Sequence, residues 1–155
     1  MKLSEVAVDT RRVETGDWVD NIPEMEGLRL KVRGSQNRDW RRLQARLLTA
    51  VPRKKRPGGQ IDIEESERII NQCLVQTSLL DWDGLFGDDG KPVPFSPQMA
   101  EKLCTDPDYR RFRDACLYAA NLVGEQNQQD IEDAAGNLVK LSAGSTDTER
   151  KSKAG

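Results

Sequence analysis

Leu28-Arg29-Leu30-Lys31-Val32-Arg33-Gly34-Ser35-Gln36-Asn37-Arg38-Asp39-Trp40 holds two periodicities with a break between them. Up to Arg33, apolar and basic residues alternate strictly, placing Leu28, Leu30 and Val32 on one face and Arg29, Lys31 and Arg33 on the other. A period of two predicts a half-buried strand with a basic outer face. Gly34 stops it. Beyond, Trp40, Leu43, Leu47, Leu48 and Val51 recur at helical spacing, which predicts a helix over 38–51 capped by Ser35 or Asn37. Arg38, Arg41, Arg42 and Arg46 decorate the rest of that helix. The fold class that follows is mainly α (α+β), a small N-terminal antiparallel β unit followed by a bundle of three to four helices.

Upstream of this stretch, residues 1–34 read as short strands. Val6-Ala7-Val8 is a brief apolar patch, and Trp18-Val19-Asp20-Asn21-Ile22 follows the turn-prone Thr15-Gly16-Asp17. Pro23–Gly27 turns the chain, so a hairpin between the Trp18 strand and 28–33 is the simplest pairing. Downstream, Asp62-Ile63-Glu64-Glu65 has the form of a capping box and predicts a helix over 63–80. Its apolar stripe is Ile63, Ile70, Cys73, Leu74, Thr77 and Leu80. The connection 81–94 carries Trp82, Leu85 and Phe86, too apolar for a linker, and is expected to fold back onto the core. Ser96-Pro97 and Asp106-Pro107 each set a capping side chain before a proline at the first helical position. They predict a short helix with Met99, Ala100 and Leu103 inward. A longer one over 107–123 follows, packing Tyr109, Phe112, Ala115, Cys116, Ala119, Leu122 and Val123. Residues 1–125 thus read as one globular domain, 1–34 the β unit and 35–125 the helical part. A weak helix over 126–141 and a disordered Ser/Thr/Lys/Gly-rich tail over 142–155 complete the chain.

The 155 residues include no histidine, which removes the commonest general base and metal ligand together. Cys73, Cys104 and Cys116 fall in apolar helical patterns without metal-ligand spacing, and read as small buried hydrophobes. The acids from Asp81 invite a calcium loop, but Leu85 and Phe86 stand where a ligand oxygen and a glycine are needed. No phosphate-cradling, nucleophile-elbow or zinc-protease motif occurs. No catalytic residue, cofactor or metal is expected, and the chain reads as a non-enzyme. No apolar run is long enough to span a membrane, and Met1-Lys2-Leu3-Ser4-Glu5 lacks a signal peptide's apolar stretch. The cytoplasm is the expected compartment.

Charge is the most informative feature. The total is only -2, yet residues 28–56 hold 11 Lys/Arg against the single acid Asp39, and residues 57–108 hold 3 Lys/Arg against 11 Asp/Glu. Such blocks neutralise each other within the fold, pair between subunits, or meet an outside anion. Their adjacency favours the first. The near-neutral total favours a protein over nucleic acid as an outside partner, because nearby acids repel the phosphates that arginines attract. The basic loop Pro52-Arg53-Lys54-Lys55-Arg56-Pro57-Gly58-Gly59 reads as a solvated turn. Candidate partner-binding residues are Arg29, Lys31, Arg33, Arg53, Lys54, Lys55, Arg56, Trp82, Leu85 and Phe86.

Several segments, taken in order, resemble the small tail assembly chaperones of long-tailed phages, prophages and gene-transfer-like elements. They are Gly16-Asp17-Trp18-Val19, Leu28 to Trp40, Leu80-Asp81-Trp82-Asp83-Gly84-Leu85, Asp88 to Ser96, and Leu103 to Ala115, together covering about 16–125. The resemblance implies a mainly helical, self-associating protein of the host bacterial cytoplasm. It would coat the tape measure protein, recruit tail tube subunits and leave before the particle is finished. Many proteins of this kind occur as a short form and a frameshifted longer one, and on that pattern this chain would be the short form. Two alternatives share the charge pattern: a nucleic-acid-binding accessory protein, with only Trp40 in range for base stacking, and a structural tail or head-tail joining protein.

Overall fold

The computed structural model describes residues 1–125, and the expected weak helix over 126–141 and tail over 142–155 lie outside them. The chain divides into two units. Of the first, the structure describes Met1–Asp9, which contains the short helix α1 (Leu3–Val6). The second, Thr10–Glu125, contains α2 (Thr10–Thr15), β1 (Asp17–Val19), β2 (Arg29–Val32), α3 (Arg38–Thr49), α4 (Ile63–Cys73), β3 (Leu79–Asp83), α5 (Pro97–Thr105) and α6 (Arg110–Glu125).

The decisive stretch folds as its periodicities predict. β1 and β2 pair antiparallel with Trp18 opposite Lys31 and Val19 opposite Leu30. Leu30 and Val32 are fully buried, while Arg29 lies outward with its guanidinium 4.9 Å over the Trp18 ring. The reversal at Gly34 is held by close backbone approach. Gly34 N–H donates to Val13 O and Ser35 N–H to Ala120 O, and a Cβ on Gly34 would stand 2.9 Å from the Gly124 Cα of α6. A side chain at either glycine would push the strand-helix turn off α6. Asn37, fully buried, then caps α3: its side-chain oxygen accepts from Trp40 N–H at 2.9 Å, and its amide donates to Gly34 O. The same amide nitrogen also donates toward the hydroxyls of Thr77 and Ser78, fastening the start of α3 to the end of the α4 segment.

Two expectations are corrected. Residues 1–34 are not all strands, because Leu3–Val6 and Thr10–Thr15 are helical. α2 is a turn and a half long and buries one residue, Val13, so it leaves no periodic trace in sequence. Its stop is Gly16, at φ +87°, whose N–H returns to Arg12 O. The helix expected over 63–80 ends as α-helix at Cys73 and widens into a π-turn over Leu74–Ser78, and the chain then forms β3. β3 supplies the second partner of β2, giving the sheet order β1-β2-β3 with Leu30 opposite Trp82. A bulge between Lys31 and Val32 shifts the register, so the buried residues of β3, Leu79 and Trp82, do not alternate. Leu80 is accordingly exposed. Ile63 is exposed as well, and Ile69 takes the inward position on α4.

The sheet's apolar face, α3, α4, α5 and α6 share one core. Trp82 sits within it, edge-on to Phe95 at 4.8 Å and to Phe112 at 5.6 Å, with its indole N–H donating to Val93 O at 2.7 Å. The connection 81–94 therefore folds back onto the core, as its apolar content predicts. Ser96 caps α5 by accepting from Met99 N–H, and Asp106 caps the short 3-10 turn Pro107–Tyr109 that opens into α6. Ala100, Leu103, Phe112, Ala115, Cys116, Ala119 and Val123 are inward as expected; Tyr109 is exposed.

Candidate functional site

Of the ten candidate partner-binding residues, four belong to the fold. Arg33 donates to the carboxylates of Glu14 and Asp39 and to the carbonyls of Glu14 and Thr77. Arg56 donates to Val51 O and Leu48 O, tying the 3-10 turn to the end of α3. Lys55 Nζ reaches Glu65 at 3.1 Å, and Trp82 is a core residue. The three basic residues were read from sequence as available charge, whereas the connection carrying Trp82 was expected to fold back onto the core. A run of charge gives no sign of which members find an acceptor once the chain turns. Arg29 and Phe86 are exposed, Lys31 and Leu85 are half-buried, and Arg53 and Lys54 are exposed.

Glu65 departs from the capping-box expectation in an instructive way. Asp62 caps α4 by accepting from Glu65 N–H, but the Glu65 carboxylate turns to Arg68 and Lys55 instead of back to the cap. Its side chain is only 6% exposed. Hydrogen bonds from Arg68 and then Lys55 hold the carboxyl below its ordinary value of 4.5. A depressed folded pKa contributes stability above the unfolded value, and that contribution is lost as pH falls through and below it. Glu65→Gln is therefore expected to lower the thermal midpoint at neutral pH. The gap to the parent should narrow by about pH 3, which circular-dichroism melts at the two pH values would check.

The exposed side of α3 is the feature that sequence reading undervalued. At 100° per residue, Arg38, Arg41, Arg42 and Arg46 fall within an arc of about 140°, facing away from Trp40, Leu43 and Leu47. All four are exposed, as are Arg53 and Lys54 in the 3-10 turn that follows. None of these six side chains forms an ion pair or hydrogen bond among the described residues. The one acid of the block, Asp39, is engaged by Arg33 at 2.8 Å. Among the described residues only Arg29, to Asp83 at 3.9 Å, and Lys55, to Glu65, pair with the acidic block. The expectation that the two blocks neutralise each other inside the fold is thus corrected. The sequence signal was present: the arginines occupy the helical complement of the apolar stripe, with no acid between Trp40 and Ile61.

The three cysteines are buried and free. Burial pushes the Cys73 thiol up to about 11 and drives Cys116 upward too, so both are kept as unreactive thiols. Among the described residues no cluster of His, Cys, Asp or Glu could hold a metal ion, and no helix is long and apolar enough to cross a membrane.

A family model described as YdaY prophage protein matches residues 35–137, well over half of the chain. The chain belongs to the YdaY prophage protein family. The phage or prophage origin implied by the resemblance is therefore established. Within the YdaY match lie α3 with its arginine face, α4, β3, α5 and α6, while the β1-β2 hairpin precedes it. No curated protein and no solved structure matches the chain.

Proposed function

We propose that this YdaY family member is a non-catalytic tail assembly chaperone, which binds the tape measure protein through the α3 face and brings tail tube subunits to it. The observation that carries the reading is the row of six cations along α3 and the following turn that form no ion pair among the described residues. Five of the six are arginines, whose planar guanidinium suits carboxylates and stacks on aromatic rings. Held on a helix and lacking acids of their own, they call for an acidic partner, and the chain's total of -2 favours a protein in that role. The resemblance of 16–125 to tail assembly chaperones names the client. A chaperone also has to let go, and contacts made by exposed cations are weak, fast and salt-sensitive. The same arginines give the nucleic-acid reading its support.

The test uses the induced prophage. A tagged chain is expected to bring down the tape measure protein from the lysate and to be absent from purified particles. Its presence in finished particles would make it a structural or joining protein. Retention of DNA or RNA in a salt-dependent gel shift, without the tape measure protein, would make it a nucleic-acid-binding accessory protein.

A further inference from the structure

The connection between β3 and α5 reverses in a tight hairpin. Phe86 bridges Pro92, Gly87 N–H donates to Lys91 O at 2.9 Å, and Gly90 N–H donates to Gly87 O at 2.9 Å. The foot of this hairpin is fixed. Leu85 and Val93 pack against the core, Val93 N–H donates to Leu85 O, and the Trp82 indole holds Val93 O. Its tip is free surface. Phe86 is 60% exposed, more than Tyr109 or Tyr118, and Asp88 and Asp89 are both exposed. Asp89 accepts a backbone N–H from Lys91, and neither aspartate forms an ion pair among the described residues.

A hydrogen-bonded tip bearing one ring and two carboxylates against the single cation Lys91 keeps a net negative charge, the chemical counterpart of a helix face bearing arginines. Guanidinium groups pair with carboxylates and stack on aromatic rings, as Arg29 already does on Trp18. No ion pair joins tip and face within one chain among the described residues. We infer that the Phe86–Lys91 tip of one copy docks on Arg41, Arg42 and Arg46 of a second copy, so that the chain self-associates head to tail. The two surfaces differ, so the contact is heterologous and builds a ring or an open row of copies. The inference deepens the reading above and rests on it for α3 being a protein-binding face. It adds that an acidic client competes with the tip for the same arginines.

Sedimentation of the full chain tests this. At about 50 mM salt the chain is expected to form species larger than the 17.4 kDa monomer, and to fall back to it by about 500 mM. D88K/D89K alone and R41E/R42E/R46E alone should each sediment as monomers. Mixed, the two variants should form a complex, because each keeps the surface that the other lacks, and this also shows that both are folded. A monomer at low salt, or self-association of D88K/D89K equal to the parent's, would overturn the inference. D88K/D89K is expected to bind the tape measure protein at least as well as the parent. A parent chain that stays monomeric at low salt yet binds the client therefore sinks only the inference; a parent chain that self-associates without binding the client sinks only the chaperone reading.

Discussion

Trp82→Ala is expected to lose about 3–5 kcal/mol of folding stability, the largest effect of any single substitution considered. Trp82 is only 6% exposed, meets Phe95 and Phe112 edge-on, and ties the 84–95 connection down through its indole N–H to Val93 O. Truncation removes the buried area, both ring contacts and the indole hydrogen bond that holds this connection to β3. Aromatic pairs contribute about 0.5–1.5 kcal/mol beyond area alone, so the upper half of the range is expected. Set against a total of about 5–15 kcal/mol for a typical domain, the variant is left marginal. Urea unfolding followed by tryptophan fluorescence, with Trp40 as remaining core reporter, measures it. Trp82→Phe keeps most of the ring and loses the hydrogen bond, and is expected to fall between the two. A loss under 1 kcal/mol for the alanine variant would mean that Trp82 is not the keystone of this core.

R41E/R42E/R46E is expected to abolish binding to the tape measure protein while leaving the fold intact. The three side chains are exposed and make no ion pair or hydrogen bond among the described residues, so nothing in the core depends on them. Reversal replaces three attractive charges by three repulsive ones on the same arc, and the like-charge cost adds to the lost attraction. At low ionic strength the affinity should drop by more than about tenfold, with the difference shrinking as salt rises. A far-ultraviolet spectrum and thermal midpoint equal to the parent's confirm that the loss is local.

Strong, local periodicities were readable from the sequence. The alternation of 28–33, the break at Gly34 and the stripe through Trp40 and Leu43 placed β2, α3 and the hairpin, and Ser96-Pro97 and Asp106-Pro107 placed the last two helices. Two things were hidden. α2 buries only Val13, so no pattern could reveal it. The α4 stripe continued smoothly through Leu74 and Thr77, and nothing local showed that the open edge of β2 would recruit Leu79–Asp83 as a third strand. Long-range pairing overrode local period there.

The site was half readable for a related reason. Composition located the basic block but not its accounting. Arg33, Lys55 and Arg56 look as available in sequence as Arg41 and Arg46, yet Glu14, Glu65 and the carbonyls of Leu48 and Val51 engage them once the chain is folded. Phe86 and Trp82, four residues apart, likewise separate into a surface tip and a core keystone.

The most direct measurement is the soluble fraction of the tape measure protein expressed alone, with the parent chain, and with R41E/R42E/R46E. The parent is expected to keep the tape measure protein in the supernatant. The folded variant is expected to leave it in the pellet, as when it is expressed alone. A tape measure protein kept equally soluble by the variant, or insoluble beside the parent, would contradict the assignment of the α3 arginines to client binding.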